Sequence, residues 1–160
     1  MAPTTPYTPQ LAGRDPLDAM ADSASQFEQV TRAWTPPDYE RTMGPGKWSA
    51  RLVLIHLAQS EIAFGSRARL ALTTPDYASQ NFDQDAWLPF DEGMSGQDAT
   101  LALIALMHMN MAMYRRLTTG QRETPFSHPA YGALTVDWIL NQLAGHQIHH
   151  LAQLEQIATS

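Results

Sequence analysis

The apolar positions of this chain recur at helical spacing in four long segments. In residues 16–34 they follow intervals of three and four, with Asp15 as a favourable N-cap and Pro16 at the first helical position. The Pro36–Pro37 pair ends the segment, because proline disfavours helical backbone in the residue before it. We therefore predict a first helix from Pro16 to about Trp34. Its apolar stripe consists of Leu17, Met20, Ala24, Phe27 and Trp34.

The second segment follows the glycine-rich turn GPGKW. Ser49 is a good N-cap for the run ARLVLIHLAQSEIAFGSRARLAL, which Thr74 and Pro75 close. The start of this run is apolar on most of its circumference, and that pattern is typical of a buried helix.

Two further helices are predicted in the second half of the chain. The third begins at Ser95, which forms a capping-box pair with Asp98, and Gly120 ends it. Thr135 is a cap for the fourth, which runs to about Ile157.

The segments between these helices are predicted as loops. Residues 76–96 form a long loop with a short turn of helix, and residues 121–132 form a second loop. No alternation typical of strands persists, so the expected fold is all-α, a four-helix bundle. A chain of 160 residues predicts a single domain over 1–160, with residues 1–14 as an extended N-terminal arm.

Composition excludes several classes of function. The chain has no cysteine, so any transition-metal site must be built from His, Asp, Glu and water. With 16 acidic and 10 basic residues the net charge is −6, which disfavours nucleic-acid binding. No stretch is apolar enough to span a membrane and the N-terminus lacks the pattern of a secretory signal, so we expect a cytoplasmic protein.

The strongest chemical signal is a pair of histidines in the fourth helix. His146 and His150 are four residues apart, so they lie on one helix face, within an apolar stripe that includes Leu143 and Leu154. Two imidazoles in that arrangement can bind one transition metal. His149 lies off this stripe, which favours the pair His146 and His150 over a pair that includes His149.

A third ligand has several candidates. His56 lies in the most apolar part of the second helix, and a buried neutral histidine needs a polar partner, which is a metal or a hydrogen-bonding group. Three protein ligands with open positions are the pattern of catalytic zinc sites. His108 of the third helix is a weaker candidate. Glu61, Asp83 and Asp85 are candidates for an additional ligand, a general base or a hydrogen-bond partner of a ligand. For each of them we favour the simpler interpretation, an exposed carboxylate.

Three stretches resemble the DinB-like metal-binding superfamily. They are GPGKWSARLVLIHLAQSE, FDQDAWLPFD and FSHPAYGALTVDWILNQLAGHQIHHLAQL, and the likeness covers about residues 15–158. In that family a histidine of the second helix and the first and last histidines of H-x-x-H-H bind metal, and these positions match His56, His146 and His150. The resemblance implies a four-helix bundle of unusual connectivity, a divalent Zn, Ni or Fe ion and a homodimer.

The resemblance leaves three functions open. The first is a thiol S-transferase that uses a low-molecular-weight thiol such as bacillithiol or mycothiol, with Arg67, Arg69 or Arg122 as candidate anchors for a small-molecule substrate. The second is a metal-dependent hydrolase, although Glu61 is rotated about 140° from His56 on an ideal helix and is poorly placed as its base. The third is a non-enzymatic, stress-associated metal-binding module.

Overall fold

Four long helices form the framework of the structure, a computed structural model that describes residues 2–159. Shorter helices and one β-hairpin connect them. In chain order the elements are α1 Thr8–Leu11, α2 Pro16–Thr31, α3 Pro36–Tyr39, α4 Ala50–Thr73, α5 Gln84–Asp91, α6 Gly96–Tyr114, α7 Thr119–Arg122, β1 Pro125–His128, β2 Gly132–Thr135 and α8 Val136–Thr159.

The long helices pack as a closed bundle. Both α2 and α4 pack against α6 and α8, so α2 and α4 lie across the bundle from each other although they are consecutive long helices. The predicted four-helix bundle is therefore confirmed, and α4 and α8 are neighbours in it. The core between the helices consists mainly of fully buried side chains, among them Met20, Phe27, Leu54, Ile55, Leu57, Leu103, Met107, Ile139, Leu140, Leu143 and Leu154.

The predicted N-caps are confirmed by hydrogen bonds. The Asp15 carboxylate accepts from the backbone N–H groups of Leu17 and Asp18, and Ser49 accepts from that of Leu52. In the same way the Ser95 hydroxyl accepts from the backbone N–H of Asp98, and the Thr135 hydroxyl accepts from that of Trp138. These bonds satisfy N–H groups that the first helical turn leaves without a partner, so they fix where each long helix begins.

The first helix ends earlier than predicted, at Thr31 instead of Trp34. Thr35 caps the short helix α3, which opens with Pro36, so the chain must leave the helical conformation before that proline. The short turn of helix expected within 76–96 is α5, which contains Pro89.

The loop predicted before α8 contains two short strands. Residues Pro125–His128 and Gly132–Thr135 pair antiparallel as a hairpin, with Phe126 opposite Leu134. Strands of four residues that include a proline are too short to show a persistent alternation, which is why the pattern missed them. Gly132 has φ +74°, a conformation that favours glycine, at the start of the second strand.

The N-terminal arm is not extended throughout. Thr8–Leu11 forms the one-turn helix α1, which packs against α8, and Leu11 is buried there. The Trp138 indole N–H donates to the backbone carbonyl of Thr4 at 3.0 Å and ties the arm to α8. Among residues 2–159, no helix combines the length and the apolarity that crossing a bilayer requires.

Candidate metal centre

Three histidines from two helices converge inside the bundle. His56 comes from α4, and His146 and His150 come from α8. The Nε2 atoms of His56 and His146 are 3.0 Å apart, and one ring nitrogen from each of the three residues lies within 4.8 Å of the others. All three side chains are buried. The structure thus brings together the three residues predicted as metal ligands.

Helical spacing and packing on α8 place two of these rings. His146 and His150 lie one turn apart on the face of α8 that is buried with Leu143 and Leu154, and their ring centroids are 4.5 Å apart. His149 is only partly buried, and it is absent from the cluster of ring nitrogens. The helical phase read from the sequence therefore separated His149 correctly from its neighbours.

The buried rings are neutral at physiological pH. Burial, and to a smaller extent the nearby His150, lower the pKa of His56 to about 3. Burial lowers the pKa of His150 to about 4, even though its hydrogen bond to Gln153 acts in the opposite direction. The pKa of His146 is also well below its ordinary value, because of burial first and of the neighbouring histidines second. Neutral imidazoles offer the lone pairs that a metal ion requires.

The spacing of these nitrogens suits a shared ion. Two nitrogens bound to one ion at about 2.0–2.1 Å lie roughly 3–3.4 Å from each other, and the Nε2 atoms of His56 and His146 are 3.0 Å apart. The Nδ1–H of His150 donates to the Gln153 amide oxygen at 2.6 Å, which leaves the lone pair of this imidazole on Nε2. The residues present therefore fit a divalent ion of the Zn, Ni or Fe type.

Aromatic side chains surround the cluster. The rings of Trp48 and Phe82 lie 5.2 Å and 6.3 Å from that of His56. Tyr7 of the N-terminal arm lies 5.0 Å from the His146 ring, a contact for which sequence reasoning gave no expectation. Gly145 makes that contact feasible, since a Cβ there would lie 2.5 Å from the Tyr7 carbonyl oxygen. A glycine inside a helix, just before a candidate ligand, was the available signal of a close approach.

A cavity of about 290 Å³ opens beside His150. The turn that precedes α4 forms one wall and the C-terminal half of α8 forms the other. Its lining comprises Met43, Gly46, Lys47, Trp48, Val53, Gln84, His150, Gln153 and Ile157. A small molecule in this cavity would reach the edge of the histidine cluster.

Other residues considered from the sequence lie elsewhere. His108 is exposed and lines a groove between α2 and α6, away from the cluster. The Asp83 carboxylate caps α5 by accepting from the backbone N–H groups of Asp85 and Ala86. The side chains of Asp83 and Asp85 are both exposed, as expected.

The arginines considered as anchors do not line the cavity beside His150. Arg67 donates to the Gln80 carbonyl, and Arg69 donates to the Asn110 side chain. Arg122 is paired with the Asp137 carboxylate.

The expectation of an exposed Glu61 was wrong. Its side chain is 1% exposed and lies in the core, where it accepts hydrogen bonds from the amides of Asn110 and Gln147. Burial raises the pKa of this carboxyl to about 7, against the effect of those two hydrogen bonds. It does not belong to the cluster of ring nitrogens, in agreement with the helical rotation calculated from the sequence.

The chain is similar to known proteins over most of its length. The sequence profile of the DinB superfamily matches residues 17–154. A relative from Oceanobacillus iheyensis, named as a candidate metal-dependent hydrolase, is 28% identical over 132 residues, which are 82% of this chain and 76% of that protein. YfiT of Bacillus subtilis, named in the same way, is 26% identical over 145 residues, which are 89% of this chain and 82% of that protein.

A solved structure of YfiT from Bacillus subtilis has the same fold. It superposes with a TM-score of 0.80 at 24% identity and covers 90% of this chain and 84% of that chain. That protein is described as a probable metal-dependent hydrolase with an unusual four-helix bundle topology. The match supports the arrangement in which α2, α4, α6 and α8 pack here.

Proposed function

Because this chain belongs to the DinB superfamily and gathers three buried imidazoles at one point, we propose that it is a metal-dependent hydrolase. His56, His146 and His150 would hold the divalent ion. The observation that carries the proposal is the cavity beside His150, which gives a small-molecule substrate access to the cluster. Such access favours an enzyme over a non-enzymatic metal-binding module. The homodimer and the cytoplasmic location stay predictions.

The residues around the cluster have distinct tasks in this proposal. When bound, a divalent ion lowers the pKa of a water or thiol ligand, so that a nucleophile is available at neutral pH. Gln153 fixes the ring orientation of His150 through its 2.6 Å hydrogen bond. Trp48 and Phe82 cover His56 with apolar surface and exclude bulk water from that side.

Hydrolysis is tested with zinc-loaded protein and a panel of 4-nitrophenyl esters and anilides. We expect release of 4-nitrophenol or 4-nitroaniline above background, which His56→Ala abolishes because it removes a metal ligand. His149→Ala is the matched control and should retain turnover, since its ring lies outside the cluster. Equal rates in wild type and His56→Ala would refute hydrolysis at this site.

A second candidate, thiol transfer, is favoured by one observation. No Asp or Glu is among the described residues that line the cavity, whereas a hydrolase ordinarily uses a nearby base to take the proton of the attacking water. A thiol bound to a metal is already deprotonated and needs no such base.

Thiol transfer is tested with monochlorobimane and bacillithiol, mycothiol or glutathione. The thiolate sulfur would form a bond to the halogen-bearing carbon and chloride would leave. We expect a fluorescent conjugate to accumulate faster with metal-loaded wild type than with His56→Ala. If no thiol reacts faster than it does without protein, transferase activity is excluded for these three thiols.

A further inference from the structure

Among the described residues that line the cavity beside His150, Lys47 is the one cationic side chain. Lys47 is the only lysine of the chain, and it follows Gly46 in the turn before α4. Gly46 has φ +72°, a backbone conformation that glycine adopts without strain and that closes this turn. The turn therefore presents the lysine at the cavity, about a hundred residues away in sequence from His150 on the opposite wall.

The polar lining of this cavity favours negative charge. None of its described lining residues is acidic, although the chain as a whole has a net charge of −6. Lys47 is exposed and forms no ion pair within residues 2–159. The Gln153 amide oxygen accepts from His150, which leaves its NH₂ group as a donor on the same wall. Ammonium and amide donors together suit a carboxylate.

Apart from one further polar side chain, Gln84, the rest of the lining is apolar. Met43 and Trp48 line the cavity from the turn, and Val53 and Ile157 line it from α4 and α8. A ligand that matches this surface has a short apolar body as well as a negatively charged end.

We propose that this cavity binds substrates that carry a carboxylate remote from the reacting group, and that Lys47 pairs with that carboxylate. This inference rests on the proposed function, because it places the reacting group at the histidine cluster. Arg67, Arg69 and Arg122 do not line the cavity, which leaves Lys47 as the cation that sets this specificity. Lys47 is a specificity residue here and takes no part in the chemical step.

The test compares ligands that share a metal-binding end and differ only at the other end. The monohydroxamates of succinic and adipic acid carry a remote carboxylate, and their primary-amide counterparts are neutral and nearly isosteric. Their Kd values are measured by calorimetry on zinc-loaded wild type, Lys47→Met and Lys47→Arg. Arg32→Met is the matched control, since Arg32 is exposed and lines the groove between α2 and α6 instead.

We expect wild type to bind at least one carboxylate ligand about fivefold more tightly than its amide counterpart, the scale of a partly solvated ion pair. Lys47→Met should abolish this preference, whereas Lys47→Arg and Arg32→Met should retain it. The preference should also shrink as salt concentration rises.

Two results would overturn the inference. One is equal affinity of wild type for the carboxylate and amide ligands at both lengths, and the other is a preference that persists in Lys47→Met. In both cases the hydroxamates still bind, so the proposed function stands. If no hydroxamate binds zinc-loaded wild type, both the inference and the open metal site that it rests on are rejected.

Discussion

Alanine at His56, His146 or His150 is expected to reduce the bound metal from about one ion per chain to near zero. Each substitution removes one of three nitrogens that lie within 4.8 Å of one another. Because the ion binds only the folded chain, its loss should also lower Tm, by about 10 °C if the metal is present at about 1,000 times its Kd. Elemental mass spectrometry measures the metal content, and differential scanning calorimetry on the same samples measures Tm.

Two comparisons separate metal binding from simple damage to the core. His149→Ala should keep its metal, since His149 is adjacent in sequence but outside the cluster. A chelator should lower the Tm of wild type and of His149→Ala, and it should leave the three ligand variants unchanged. Equal metal content in all four variants would refute the assignment of the ligands.

Acidification should release the ion from wild type. Ligand imidazoles must be neutral, and protons compete for their lone pairs. In the metal-free protein burial already holds the pKa of His56 at about 3 and that of His150 at about 4, so their protonation destabilises the fold only as pH falls below the ordinary value of 6.5.

Local patterns predicted the bundle well because caps and apolar stripes are short-range signals. Asp15, Ser49, Ser95 and Thr135 each form the capping hydrogen bond expected from a few neighbouring residues. The interval of four between His146 and His150 placed both rings on one face without any knowledge of the fold. The apolar surroundings of His56 marked it as a candidate, but whether it lies near α8 depends on how the helices pack. The resemblance to a known family supported that proximity.

The remaining features depend on contacts between distant residues, which the spacing of residue types does not encode. Tyr7 reaches His146 because the arm crosses α8 at Gly145, and Lys47 lines the same cavity as His150 because the turn before α4 lies beside the C-terminal half of α8. Glu61 was expected at the surface as carboxylates generally are. Amides from α6 and α8 bind it in the core, and each of these partners is far from it in sequence.

Replacing Glu61 with glutamine is expected to change how stability depends on pH. Burial raises the pKa of this carboxyl from an ordinary 4.5 to about 7, so between these values the unfolded chain loses a proton that the folded chain keeps. The contribution of Glu61 to the free energy of unfolding therefore falls as pH rises from 4.5 to 7, by about 3 kcal/mol in total. Glutamine is neutral throughout and should remove this loss.

The difference between variant and wild type isolates the carboxyl. Both proteins contain the same histidines, whose lowered pKa values make stability rise with pH over part of the same window. Denaturant titrations of metal-free protein measure the free energy of unfolding of each protein. The value for Glu61→Gln minus that for wild type should increase from pH 4.5 to 7 and stay constant above pH 7. Glu28→Gln is the control at an exposed site and should show no such change.

The sign of this difference distinguishes two roles for the Glu61 carboxyl. If Asn110 and Gln147 stabilised the charged carboxylate more than burial destabilises it, its pKa would lie below 4.5. The free energy of unfolding of wild type would then increase relative to that of Glu61→Gln as pH rises. A constant difference across the window would mean that the carboxyl titrates as it does in water. Either result would contradict a neutral, buried Glu61, and only a lead of the glutamine variant that grows up to pH 7 agrees with it.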